Sequence, residues 1–125
     1  MSTINDLKTI QKKRAKLIAD LAKMQYMLQG TFGKNFRRCG GSTCWCAKSE
    51  KGHSDYRIVW GNGKKTFTKV IPKEDIKWAK KVTDTYRQYK KIRQLLRDLN
   101  ERQRLLLNEL EEEITTRTKK LRDYL

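Results

Sequence analysis

The stretch RRCGGSTCWCAKSEKGH, from Arg37 to His53, contains all three cysteines of the chain and its only histidine. Long helical patterns lie on both sides of it. The stretch therefore decides whether this is a plain coiled coil or a coiled coil that carries a structured, functional tip.

The four sulfur- and imidazole-bearing residues, Cys39, Cys44, Cys46 and His53, have the form C-x4-C-x-C-x6-H. Three Cys and one His make up the closed tetrahedral ligand set of a structural zinc site. Glycines 40, 41 and 52 allow the bends that a small metal loop needs. The alternative is three ordinary buried thiols and a surface histidine, although buried cysteines usually scatter along a chain. We predict structural Zn²⁺ bound by these four residues.

A β-hairpin is predicted directly after the metal loop. DYRIVW, residues 55–60, and TFTKVI, residues 66–71, are β-branched and aromatic, and Asn62-Gly63 between them is a strong tight-turn signal. Two strands alone are marginal in water, so a neighbouring metal would supply the missing stability.

Two helices are predicted to flank this segment. The first, residues 1–30, has apolar residues at alternating spacings of three and four from Leu7 to Leu28, with one basic interruption at Arg14. Ser2 or Asn5 can cap its start, and Gly30 can end it. The second is predicted to follow from Pro72, which fits the first position of a helix, and residues 73–125 contain no Gly or Pro. Its stripe has one polar position, Gln103.

The expected fold is thus mostly α with a small β-hairpin: a single domain in which a two-helix antiparallel coiled-coil hairpin carries a zinc-stabilised β-hairpin, residues 31–72, at its tip. The second helix is about twice as long as the first, so its half from Leu99 onward should lack a partner within the chain. We predict a homodimer, or docking onto another protein, through a stripe of six residues: Leu96, Leu99, Leu106, Leu110, Ile114 and Leu121. A membrane-surface helix is the weaker interpretation, because acidic residues such as Glu109 interrupt the basic ones.

The net charge of +16, from 30 basic and 14 acidic residues, favours a polyanionic partner, DNA or RNA, over simple solvation of helix faces. Residues 30–72 carry nine basic and two acidic side chains and are the most one-sided part. The predicted nucleic-acid contacts are Lys34, Arg37, Arg38, Trp45, Lys48, Lys51, Arg57, Lys64, Lys65 and Lys69. The cations would bind phosphates. Trp45 would stack on a base, or else cover the metal or contact the helices.

An enzyme is not expected, because a full Cys3His set leaves neither an open metal position nor a nucleophile. No run of 18 apolar residues and no signal-peptide core are found, so we expect a cytoplasmic protein without a membrane partner.

The block from Arg38 to Tyr56, with the helix YRQYKKIRQLLRDLNERQRLLL that follows, resembles a family of small bacterial and archaeal proteins of unknown function. Members show a Cys-Gly…Cys-x-Cys-Ala-Lys…His block between helical arms. They often have Gly-Pro after the histidine, where this chain has Ser54-Asp55, which predicts a different local turn. Members are often encoded near transposases, so the resemblance implies an accessory role in a mobile-element or DNA-processing system.

The rival hypothesis is a protein–protein adaptor. In that case the zinc tip and the coiled coil would dock onto a larger enzyme, such as a transposase or nuclease, or onto a ribonucleoprotein. Affinity for free nucleic acid with a steep salt dependence distinguishes the two hypotheses.

Overall fold

The computed structural model describes residues 2–38, 40–48 and 52–125. The elements are α1 (Thr3–Ala22), β1 (Thr31–Arg37), a short 3-10 helix (Trp45–Lys48), β2 (His53–Gly61), β3 (Thr66–Val70), a 3-10 turn (Lys73–Asp75) and α2 (Ile76–Lys119). They form two compact units. We call Met1–Gln25 with Tyr89–Leu125 the helical unit, and Tyr26–Gln88 the sheet unit. A mostly helical chain with a long C-terminal helix and a small sheet was expected from the sequence.

In the helical unit, α1 and the later part of α2 run in opposite directions. The Thr3 hydroxyl donates to Glu113 Oε1 at 2.5 Å, and the Arg14 guanidinium donates to Asn100 Oδ1 at 2.8 Å and to Gln103 Oε1 at 2.5 Å. Arg14 and Gln103 are the two polar exceptions in the predicted apolar stripes, and they hydrogen-bond to each other. Ile10, Ile92 and Leu106 are buried in the same unit.

The expectation that α2 lacks a partner from Leu99 onward is wrong, because α1 reaches Glu113. Leu106, one of the residues predicted for the dimer, is only 1% exposed within a single chain. Ile114 and Leu121 remain exposed. The homodimer and the coiled-coil packing stay predictions.

The first helix is shorter than predicted. It begins at Thr3 with Ser2 as the N-cap, whose side chain accepts from the Asn5 N–H, but it ends at Ala22 rather than near Gln29. Beyond this end, the Leu28 N–H donates to the Val82 carbonyl at 3.0 Å. The last predicted turns of the helix are thus a non-helical segment that is tied to α2.

The sheet has three strands rather than two, because β1 pairs antiparallel with β2 from Thr31–Val59 to Arg37–His53. The predicted hairpin is present as β2 and β3, in register from Arg57–Val70 to Gly61–Thr66. The Asn62 Oδ1 accepts the N–H groups of Lys64 and Lys65, both at 2.9 Å, which closes the four-residue loop. Sequence pattern missed β1 because only Phe32 and Phe36 mark it as a strand, and its strand conformation depends on β2.

The second helix differs from the prediction at both ends. Residues Lys73–Asp75 form a 3-10 turn that follows Pro72, and the α-helix runs from Ile76 to Lys119, short of Leu125. The early part of α2 belongs to the sheet unit, where Ala79, Val82 and Thr83 are buried. The Thr83 hydroxyl donates to the carbonyls of Ala79 and Lys80. Among the described helices, none combines the length and the hydropathy needed to cross a membrane.

Candidate metal centre and basic surface

His53 is placed by the pairing of the first two strands. It is the first residue of β2 and lies opposite Arg37, the last residue of β1. The strand ladder therefore fixes the backbone from which the imidazole projects.

Cys44 lies on a tight turn that leads into the short 3-10 helix, and Cys46 lies within that helix. The Cys44 N–H donates to the Gly41 carbonyl at 3.3 Å, and the Ala47 N–H donates to the Cys44 carbonyl at 3.1 Å. Cys46 is fully buried and Cys44 is partly buried. Gly40, with φ of +83°, takes a backbone conformation that residues with a side chain rarely adopt. The predicted use of glycines for bends agrees with this geometry.

The ligand atoms of Cys44, Cys46 and His53 all lie within 4.8 Å of one another. Cys44 Sγ stands 3.1 Å from His53 Nε2. In a tetrahedral zinc site, ligand atoms about 2.0–2.3 Å from the metal are about 3.6–3.8 Å apart. These three side chains are thus close enough to hold a metal ion after small adjustments. Cys39, the fourth predicted ligand, lies outside the described residues.

Trp45 lies beside this cluster and is also open to solvent. Its ring meets the His53 ring edge-on, with centroids 4.9 Å apart and an interplanar angle of 71°. The side chain is nevertheless 62% exposed. Trp45 therefore contacts one of the three clustered side chains, and both of its expected roles, covering the metal and stacking on a base, stay predictions.

The predicted nucleic-acid residues do not share one surface. Arg57 forms a two-point ion pair with Asp55 on its own strand, with Nε–Oδ1 at 3.0 Å and Nη2–Oδ2 at 3.2 Å. Lys69 lies opposite Ile58 in the ladder, whereas Arg57 lies opposite Val70, so the two cations project from opposite faces of the sheet.

The remaining predicted cations differ in their surroundings. Lys34 lies on the face of Ile58 and Lys69, with its Nζ 5.3 Å from the Phe36 ring centroid and 5.8 Å from that of Tyr56. Lys64 and Lys65 are exposed in the hairpin loop, and Arg37, Arg38 and Lys48 are exposed near the cysteine turn. Lys51 lies outside the described residues.

A second basic feature of the sheet unit was missed. The first turns of α2 carry Lys77, Lys80 and Lys81, which line a shallow groove with Asp84, Thr85 and Gln88. The spacing of three and four among these lysines is visible in the sequence and could have indicated a common helix face. With them, the sheet unit carries 14 basic and five acidic residues, a net charge of +9.

Comparison with known proteins gives a family and no function. The family model described as "Domain of unknown function (DUF6788)" matches residues 6–81, and the chain belongs to this family. The matched segment covers most of α1, the whole sheet with the Cys–His cluster, and the start of α2. Neither a curated protein nor a solved structure matches the chain.

Proposed function

We propose that this protein is a non-enzymatic nucleic-acid-binding accessory protein of a mobile-element or other DNA-processing system, and that the sheet unit makes the contacts. One observation carries the proposal: the sheet unit, residues 26–88, holds +9 of the net charge of +16. A surplus of this kind attracts a polyanion over a distance of about 8 Å at physiological salt.

The proposed cofactor is one structural Zn²⁺ held by Cys44, Cys46, His53 and, as the fourth ligand, Cys39. The donor chemistry of the described trio supports this, since two thiolates and an imidazole suit zinc better than magnesium or calcium. The ion would tie the cysteine turn to the start of β2. With the turn tied to β2 in this way, Arg37, Arg38 and Lys48 would be held in a fixed arrangement next to the sheet.

Within this proposal the cations have unequal roles. Lys64 and Lys65, on a short loop held by Asn62, are the best placed for phosphates because the loop is fixed while their side chains are exposed. Arg57 contributes less, because Asp55 already compensates its charge. The lysines of the α2 groove extend the contact surface.

The test is binding of the full-length, metal-quantified protein to duplex DNA, single-stranded DNA and structured RNA over a salt series. We expect tight binding with a steep salt dependence. Replacing Lys64, Lys65 and Lys69 by Gln should weaken binding and lower the salt slope, by about 0.9 for each duplex phosphate that is no longer neutralised. The matched control replaces Lys12, Lys13 and Lys16 of α1 by Gln, which removes the same charge from the helical unit.

Equal weakening in the two variants would show that the charge acts generally, and absence of salt-sensitive binding would contradict the proposal. The adaptor hypothesis would then lead. It has an observation of its own in the sheet unit, where Tyr26, Trp45 and Trp78 expose 73%, 62% and 56% of their surface. Exposed aromatic residues are typical anchors of protein–protein interfaces.

A further inference from the structure

The helical unit has two sides of different character. One side carries a groove between the helices that is lined by Lys13, Lys16, Leu17 and Asp20 of α1 and by Leu95, Asp98, Leu99 and Arg102 of α2. Five of these eight side chains are charged. Charged side chains therefore surround this groove, while Leu17, Leu95 and Leu99 supply apolar surface within it.

The residues on the opposite side can be assigned from helix geometry, because successive residues of an α-helix are rotated by about 100° about its axis. On α1, the line of Thr3, Ile10 and Arg14 faces α2. Ile4, Ala15 and Ile18 lie about a quarter turn from this line on one side, and Lys13 and Asp20 lie on the other side. On α2, Leu96, Leu107 and Ile114 lie in the direction opposite to Asp98 and Arg102. Because the helices run antiparallel, both sets come to the same side.

We call this side the apolar face. Its members are Ile4, Gln11, Ala15, Ile18 and Ala22 of α1 and Leu96, Asn100, Gln103, Leu107 and Ile114 of α2. None of the ten is charged. Four large aliphatic side chains on it are about half exposed: Ile4 43%, Ile18 50%, Leu107 47% and Ile114 47%. Apolar patches that extend over two helices mark interaction sites rather than ordinary surface.

We propose that the apolar face joins two copies of this chain. Its size fits: α1 is about 30 Å long at about 1.5 Å per residue, and two helices at about 10 Å each are about 20 Å wide. A face of about 600 Å² approaches the roughly 800 Å² per partner of a specific interface.

Charges at the edge of the apolar face favour a second copy of the chain over a different partner. They also determine whether the α2 helices of the two copies run parallel or antiparallel. Arg93 and Glu111 are exposed, 18 residues or five turns apart, and so lie on the same edge of α2 beside the apolar face. A two-fold axis that crosses the helices in the interface makes the two α2 helices antiparallel. It brings Glu111 of each copy toward Arg93 of the other. A two-fold axis along the helices would instead put the two α2 edges on opposite sides of the dimer, about 20 Å apart, so that Glu111 and Arg93 could not pair.

This interface is not the stripe predicted from the sequence. Leu106 is already buried within one chain, whereas Leu96 and Ile114 are shared by both descriptions and Leu107 becomes a central contact. The interface also does not depend on the proposed function, because it involves the helical unit and can be measured without nucleic acid.

The test is sedimentation equilibrium of the full-length protein over a concentration series, with Leu107→Glu and the matched control Leu105→Glu. Leu105 is 42% exposed and projects from the other side of α2. We expect twice the chain mass of 14.9 kDa for the wild type and for Leu105→Glu. Leu107→Glu should dimerise at least about tenfold more weakly, because it puts a charge into the interface.

A charge exchange tests the direction. Arg93→Glu alone and Glu111→Arg alone should each weaken the dimer, and the two together should restore it. Ile18→Glu tests the α1 half of the face, and circular dichroism checks that each variant keeps its helix content. A monomeric wild type at every concentration, or equal effects of Leu105→Glu and Leu107→Glu, would overturn the proposal. Dimers without rescue by the double exchange would overturn the antiparallel arrangement.

Discussion

Gly52 lies so close to Arg37 that a β-carbon at position 52 would stand 2.4 Å from the Arg37 carbonyl oxygen and 2.9 Å from the Arg38 nitrogen. Its φ is +77°. His53 follows immediately and pairs with Arg37 across the strands. The close approach of two backbones thus sets the point where β2 begins and where the imidazole leaves it.

Gly52→Ala should therefore lower the free energy of unfolding by more than the penalty for an alanine in the left-handed conformation, because the β-carbon also clashes with the Arg37 backbone. Gly63→Ala is the matched control, since φ there is +88° and a β-carbon would have nothing within 4 Å. We expect Gly63→Ala to lose about 1–2 kcal/mol from the left-handed conformation, and Gly52→Ala to lose clearly more and also to bind zinc more weakly. Urea denaturation and zinc titration measure the two effects. Equal destabilisation of both variants would mean that the Arg37 backbone moves aside without cost.

Metal binding should depend on each member of the Cys–His cluster. We expect about one zinc per purified chain by elemental analysis. Cys44→Ser, Cys46→Ser and His53→Gln should each weaken zinc affinity by at least about 100-fold, because removing a hydrogen-bond partner of a metal ligand already costs 10–100-fold. Cys39→Ser tests the fourth ligand, and an affinity equal to that of the wild type would remove Cys39 from the set. Metal-free wild-type protein with unchanged stability would contradict a structural role.

The helical unit should respond sharply to a cavity at its centre. Leu106→Ala removes a side chain that is 1% exposed, and we expect a loss of about 2–5 kcal/mol in the free energy of unfolding. Leu105→Ala, at a position 42% exposed, should change it by less than about 1 kcal/mol. Urea denaturation followed by helical circular dichroism compares the two. Similar small changes in both would show that α1 does not pack on α2 at this level.

The ion pair between Asp55 and Arg57 gives a variant that should improve nucleic-acid binding. Asp55→Asn removes the charge that compensates Arg57, so we expect higher affinity and, if Arg57 then binds one duplex phosphate, a salt slope larger by about 0.9. Glu101→Gln is the control, because its carboxylate pairs with Arg104 in the helical unit, outside the proposed contact surface. An equal gain from both would assign the effect to net charge rather than to Arg57.

Features that depend on neighbouring residues were predictable from the sequence, and features that depend on distant ones were not. Asn62-Gly63 indicated the hairpin because an Asx side chain and a glycine close a loop by themselves. The absence of Gly and Pro indicated α2. By contrast, the non-helical segment after α1 is bonded through Leu28 to Val82, and β1 is paired with β2; both contacts join residues that are distant in sequence.

In the candidate site, too, only the features that depend on residues close in sequence were predictable. The cluster of Cys44, Cys46 and His53 was visible in the spacing, and the structure brings these three together. The paired state of Arg57 was not foreseen, although Asp55 stands two residues away on the same strand face. The separation of Lys69 from Arg57 could not be foreseen without the register of β2 and β3.

The distances along the chain between contacting residues also predict an order of events during synthesis. Cys44 and His53 are nine positions apart, whereas Thr3 and Glu113 are 110 apart. Short loops close at low entropic cost and quickly. As the chain leaves the ribosome, we expect the Cys–His cluster and the sheet to form first. The N-terminal helix must wait, with its apolar stripe uncovered, until the last turns of α2 have been made, and this is the stage at which a chaperone would be needed.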